Sequence, residues 1–161
     1  MKKSIPMISA LSLCVLFNPH PASAEEALLL PRTLDEWQME TEDLLILRTA
    51  SDDMGSLRSR NYVRHEPRAH VEVILMEGPG PGTLWLPSRK VRETDAPIGF
   101  GSTYETLRIC EHEAILEYGE TLGYALAIKL GDDRTLTLES RGISREELMN
   151  FAKRMTERMP R

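Results

Sequence analysis

Cysteine is scarce in this chain, which has only Cys14 and Cys110 among its 161 residues. Cys14 lies in an N-terminal stretch with the features of an export signal, so removal of that stretch would leave Cys110 as the single thiol. A single thiol excludes an internal disulfide, and the fold must then be held together by its apolar core. A lone cysteine of this kind is more typical of a buried, unreactive residue than of a reactive one, although a disulfide between two copies stays open.

Long apolar runs are almost as scarce. One occurs at residues 5–17, after two lysines and before the cleavage motif Ala22-Ser23-Ala24. This order of features is typical of a signal peptide, and no later run is long enough to cross a bilayer. We therefore expect residues 1–24 to be a signal peptide that is cleaved after Ala24. Residues 25–161 are then expected to form a single domain in the periplasm or outside the cell.

Strong net charge of either sign is absent, but one region is basic. The formal net charge of −5 would become −7 on cleavage, because two lysines and no acid would leave with the signal. Within residues 56–92, seven basic residues face three glutamates. Arg58, Arg60, Tyr62 and Arg64 alternate along the chain, so an extended strand would present all four on one face.

That alternating set has two interpretations. It predicts a binding surface for an anionic or protein partner in the cell envelope, used together with the connection at residues 87–101. The other interpretation is a solvated strand face whose charges are balanced by acids elsewhere in the fold. Export and the acidic total both disfavour nucleic acid as a partner.

Catalytic signatures are missing as well. Gly99-Phe100-Gly101-Ser102 lacks the further glycines and the following helix of a phosphate-binding loop. The cluster Cys110-Glu111-His112-Glu113 offers a thiol and an imidazole that suit zinc or copper, and His65 and His70 are further candidate ligands. No C-x-x-C or H-x-x-x-H spacing accompanies it. The sequence thus indicates a non-enzymatic protein without a cofactor, and the alternative is a small metal-binding or thiol-dependent protein centred on Cys110 and His112.

The rest of the chain is rich in short segments that predict strands; most of them alternate, whereas the continuous apolar run of the first predicts a buried strand. These are EDLLILRTA at 42–50, AHVEVILMEG at 69–78, TLWLP at 83–87, TYETLRI at 103–109, EAILEYG at 113–119, YALAIKL at 124–130 and RTLTLES at 134–140. Thr33 and Glu36 have the spacing of a capping box and predict one helical turn, whereas residues 51–59 read as a loop. The turn formers between the last two segments predict an antiparallel hairpin.

One helix closes the chain. Ser144 and Glu147 form a second capping-box pattern, and Pro160 marks the end. Apolar residues recur along one stripe between them, at Leu148, Phe151, Ala152, Met155 and Met159. We therefore predict an α+β fold, a mostly antiparallel sheet with the C-terminal helix packed on one face.

This C-terminal part, from Ile115 to Met155, resembles small exported domains of unknown function in bacterial lipoproteins and anti-sigma-factor ectodomains. It is also similar to PsbP-like domains, in which strands of a sheet lead into a closing helix that begins at a Ser-x-x-Glu cap. The resemblance implies a sheet-plus-helix fold and a non-enzymatic binding or assembly role. It implies no catalytic residues.

Overall fold

The computed structural model describes residues 30–48, 53–90, 92–94 and 102–159. These form nine strands and one helix: β1 Thr33–Leu34, β2 Trp37–Arg48, β3 Asp53–Arg64, β4 Ala69–Glu77, β5 Arg92–Thr94, β6 Thr103–Ile109, β7 His112–Gly119, β8 Gly123–Gly131, β9 Arg134–Ser140 and α1 Arg145–Arg158. The predicted signal peptide, the cleavage site and Gly99-Phe100-Gly101 lie outside the described residues. Among the described residues, no helix has both the length and the apolar character needed to cross a bilayer.

All nine strands belong to one antiparallel sheet in the order β1-β2-β3-β4-β9-β8-β7-β6-β5. The first four strands follow one another, and so do the last five. The last strand, β9, returns to pair with β4, where Val73 lies opposite Leu138 and Leu75 opposite Leu136. The predicted α+β class, with a mostly antiparallel sheet and a C-terminal helix on one face, is confirmed.

The core lies between α1 and one face of the sheet. Alternate residues of a strand point to the same face, and paired residues on neighbouring antiparallel strands share that face. Most of the buried residues on the helix side of the three central strands, β4, β9 and β8, are aliphatic: Val71, Val73, Leu75, Leu126, Ile128, Leu136 and Leu138. From the helix, Leu148, Phe151, Ala152 and Met155 are buried against them, as the apolar stripe predicted.

The sheet curves around α1. The helix contacts β1 and β6, which stand first and eighth in the strand order, as well as β8 and β9 between them. A flat sheet would separate those outer strands by roughly 34 Å, about three times the diameter of a helix. Ion pairs close both sides, from Arg154 and Arg158 to Asp35 in the β1–β2 turn and from Arg145 to Glu105 in β6. The helix therefore lies in a trough, and we call the helix side the concave face.

The start of the helix also agrees with its sequence pattern. The Ser144 hydroxyl accepts a hydrogen bond from the Glu147 backbone N–H at 3.2 Å, and the Glu147 carboxylate accepts one from the Ser144 N–H at 2.9 Å. The backbone bond from Ser144 and a side-chain bond from Arg64 hold the pKa of Glu147 below its usual value. The capping box thus joins the helix N-terminus to β3.

Three predictions of local structure are wrong. Thr33 and Leu34 form β1, not a helical turn, because Leu34 and Trp37 are both drawn into the core across the turn at Asp35. Residues 53–59 of the predicted loop belong to β3, where Ser56 pairs with Ile46 and Ser59 with Asp43. A polar composition misled that prediction, since this end of the hairpin is open to solvent.

The third wrong prediction is the strand at residues 83–87. No strand occurs there, and the place beside β4 is taken by β9. The glycine-proline loop before it rests on the β8–β9 turn instead, with the Gly78 N–H donating to the Asp133 carbonyl at 2.9 Å. A Cβ on Gly82 would lie 2.0 Å from the same carbonyl, so only glycine permits this approach. The connection at 87–101, expected to be irregular, contains the short strand β5 among its described residues.

Candidate functional site

The alternating set Arg58, Arg60, Tyr62 and Arg64, which we call the arginine row, lies on the concave face of β3. Its members pair with Leu75, Val73, Val71 and Ala69 of β4, which are buried residues of the core face. The four side chains therefore share a face, but that face points toward the interior. Arg60 is 3% exposed and Tyr62 is fully buried.

Glu42 of β2 bonds to the outer half of the arginine row, which consists of Arg58 and Arg60. Arg58 donates to its Oε1 at 2.7 Å and Arg60 donates to the same oxygen at 2.8 Å. Burial alone would raise the pKa of the Glu42 carboxyl, but the two guanidinium groups outweigh it and hold the pKa below its usual value. Arg60 also donates to the carbonyl of Leu30, which fixes the incoming chain over β3.

The inner half of the row belongs to an aromatic cluster under the helix. The rings of Trp37 and Tyr62 meet Phe151 edge to face, with centroid distances of 5.2 and 5.5 Å. The Tyr62 hydroxyl donates to the Pro31 carbonyl, and burial raises the pKa of this phenol. Arg64 lies 4.8 Å above the Trp37 ring and bonds to Glu147 at 3.0 Å.

The arginine row is thus a structural network that ties β3 to β2, to α1 and to the chain at Leu30. Its charges are balanced by acids of the same chain, as the second interpretation of the sequence expected. That interpretation expected a solvated face, but Arg60 is buried and Arg58 and Arg64 are half-buried. An anionic ligand would have to displace Glu42 or Glu147 to reach them.

Cys110 lies in the turn between β6 and β7, where its backbone adopts φ 51°. Its thiol is exposed, in contrast to the buried cysteine expected from composition, and stands 3.7 Å from the Thr156 hydroxyl of α1. A cavity of about 380 Å³ opens beside it at the C-terminal end of the helix. Its lining includes His112, Arg134 and Glu157, so a thiol, an imidazole and charges of both signs meet there.

The other two candidate ligands, His65 and His70, do not line this cavity. His70 lines a separate hollow of about 910 Å³ at the opposite end of the sheet, and His65 lies in the exposed β3–β4 turn. Within the described part of the chain, no three histidine, cysteine or acidic side chains come together in a way that could hold a metal ion. The cavity therefore brings Cys110 and His112 together but adds neither of the other proposed ligands.

A third feature, at the far end of β2, was not among the predictions from the sequence. Leu44, Leu45 and Ile46 are 47%, 57% and 43% exposed, and Met54 on the neighbouring strand β3 is exposed beside them. We call these four residues the apolar tip. Leu44 and Ile46 lie on the concave face beyond the reach of α1, whereas Leu45 lies on the opposite face.

The apolar tip also lies on an open strand edge. In the described part of the chain, β1 pairs with β2 only at Trp37 and Gln38, so β2 from Thr41 to Arg48 has a neighbouring strand on one side only. The continuous run of four apolar residues predicted a buried strand, and that prediction is wrong because Leu44, Leu45 and Ile46 are exposed.

Comparison with family models, with curated proteins and with solved structures finds no match to this chain.

Proposed function

We propose that this chain is an exported, non-enzymatic protein of the cell envelope that binds or assembles with a protein partner. The observation that carries the proposal is the apolar tip. Monomeric proteins expose single apolar residues freely, but a contiguous group on an open strand edge is typical of a protein–protein contact. The signal-peptide features of residues 1–24 support a contact made outside the cytoplasm. The resemblance of the C-terminal part to small exported bacterial domains supports the same location.

A protein partner is favoured over an anionic polymer. The basic side chains that would hold an anion, Arg58, Arg60 and Arg64, are already bonded to glutamates of this chain. The apolar tip, in contrast, has four exposed side chains without a cation among them. Burying such a surface releases about 25 cal/mol per Å² of apolar area, a gain that a protein surface can supply and a charged polymer cannot.

Crosslinking in cells tests the proposal. A photo-reactive amino acid at Ile46 should yield a covalent adduct to protein in the envelope fraction, and one at Leu122 should not. Leu122 is 63% exposed, which is at least as much as Ile46, but it lies in the β7–β8 turn and not at the apolar tip. The processed chain should begin at Glu25. Absence of an adduct at Ile46, or a chain that stays in the cytoplasm with its first residues intact, would overturn the proposal.

The cavity beside Cys110 favours a second candidate function, a thiol-dependent or metal-binding role. An exposed thiol shares the cavity with His112, and both are ligands that zinc accepts. Elemental analysis of the purified protein, beside a Cys110→Ser variant, decides the matter. Stoichiometric metal that disappears in the variant would establish this role, and metal-free protein whose thiol resists alkylating reagents would dispose of it.

A further inference from the structure

The open edge of β2 has backbone groups that a further strand could pair with. Between Glu42 and Arg48 the strand spans roughly 20 Å, and its outer side has no strand neighbour among the described residues. Native proteins guard such edges with lysine, proline or a short length. None of these protects Leu44, Leu45, Ile46 and Leu47, which follow one another without a charge.

The residues along this edge are complementary to themselves. When the segment is laid antiparallel against a second copy with Leu45 opposite Leu45, Leu44 falls opposite Ile46. In the same register Glu42 falls opposite Arg48, once at each end. Antiparallel partners must share a face, and this register satisfies that condition because each pair has the same parity. Apolar contacts then lie at the centre, Asp43 falls opposite Leu47 on either side of them, and Glu42 and Arg48 form the pair at either end.

The ion pairs agree with the geometry of Glu42. Both Arg58 and Arg60 bond to its Oε1, so Oε2 is the oxygen that a cation of a second copy would meet. An acid and a base placed directly opposite on neighbouring strands stabilise the pairing of those strands. Their larger effect is on register, because a shift of two residues along the strand separates Glu42 from Arg48 at both ends.

We propose that the partner at the apolar tip is a second copy of this chain, bound through antiparallel β2–β2 pairing about a twofold axis at Leu45. The two sheets then continue into one another, and Leu44, Leu45 and Ile46 become buried in both copies. Such a contact is closed, because the same edge is used on each chain, so it yields dimers and not filaments. The inference rests on the proposed function, since it names the protein that the apolar tip binds.

Particle mass measured by sedimentation equilibrium tests the dimer. The exported chain, purified from the envelope, should give twice the mass of one chain, and Leu45→Lys should reduce it to the mass of one chain because two lysines would face each other on the axis. Leu122→Lys is the matched control and should leave the dimer intact, since Leu122 is at least as exposed but lies in the β7–β8 turn. A monomeric wild-type protein at every concentration, or a dimer that survives Leu45→Lys, would overturn the inference.

Cysteine scanning tests the register. In a Cys110→Ser background, single variants Leu44→Cys, Leu45→Cys and Ile46→Cys are oxidised and the fraction of covalent dimer is compared. Paired residues on antiparallel strands have Cα atoms about 4.5–5.5 Å apart, within the range that a disulfide spans. The yield should be highest at position 45; a maximum elsewhere, or an equal yield from Leu122→Cys, would contradict the twofold axis at Leu45. A crosslink in cells to a different protein, found together with a monomer in vitro, would refute the dimer and leave the proposed function standing.

Discussion

The two ends of the β2–β3 hairpin show how differently the same sheet face is used. Near α1, the concave face holds Trp37 and Tyr62, which are buried against Phe151. At the other end the same face holds Leu44 and Ile46, which are about half exposed. Both ends are apolar, so composition does not separate them. The two ends differ because α1 covers only one of them. At the uncovered end, a partner protein could bury the exposed side chains of Leu44 and Ile46.

The largest expected effect on stability comes from removing the Phe151 ring, which contacts Trp37 and Tyr62. Phe151→Ala should lower the free energy of unfolding by about 3–5 kcal/mol, because the ring is buried between two other aromatic residues and leaves a cavity. Leu122→Ala, at an exposed position, should change it by less than about 0.5 kcal/mol. Urea denaturation measures both, and a small loss in Phe151→Ala would show that the helix is not part of the core.

A smaller loss of unfolding free energy is expected for a change at Arg60, which lies between the two ends of the β2–β3 hairpin. Arg60 lies there with a buried charge, held by Glu42 and the Leu30 carbonyl. Arg60→Met should lower the free energy of unfolding by about 3 kcal/mol, since it removes one partner of a largely buried pair. The exposed Arg141 provides the control, and Arg141→Met should be close to neutral in the same denaturation experiment. Equal effects at the two positions would contradict an internal role for the arginine row.

The helix cap should contribute less again. Ser144→Ala removes the side-chain acceptor for the Glu147 N–H and should lower the free energy of unfolding by about 1 kcal/mol. Ser144→Asp retains an acceptor at the same position and should recover most of that loss in thermal denaturation. An effect shared equally by both variants would mean that the hydroxyl is not acting as a cap.

The smallest expected effect is a dependence on pH. The pKa of Glu42 in the folded protein lies below its usual value of 4.5, because Arg58 and Arg60 stabilise the charged form. The contribution of this carboxylate to stability is therefore present above that value and is lost as the pH falls through the folded pKa. Stability measured by denaturation from pH 6 downward should therefore decline more steeply in the wild-type protein than in Glu42→Gln. Parallel curves would show that the carboxylate is not bonded to the arginines in solution.

The sequence patterns were most informative where one local rule was sufficient. The helix has both a capping box and an apolar stripe, and β6 to β9 alternate or follow clear turns, so their places could be read directly. The early strands were harder because long-range pairing overrides local signals. Thr33 and Glu36 have the spacing of a cap, yet Leu34 and Trp37 gain more from burial in β1 and β2 than a single helical turn would offer.

In the candidate site, too, local rules predicted some features and long-range contacts determined the others. Parity alone placed Arg58, Arg60, Tyr62 and Arg64 on one face, since alternation is a property of any strand. Which face points inward depends on Glu42, on Glu147 and on the path of the chain at Leu30, and none of these is close in sequence. The exposure of Leu44, Leu45 and Ile46 was equally out of reach, because it depends on β1 being only two residues long.

Hydrogen exchange compares the two regions in one experiment. Outward-facing amides of β2 between Leu44 and Leu47 should exchange slowly in the wild-type protein and much faster in Leu45→Lys, while amides of β8 and β9 keep the same rates in both. That result is expected if the helix completes the core and a second chain completes the β2 edge. Rapid exchange of those β2 amides in the wild-type protein, or a change that spreads into β8 and β9, would contradict the account.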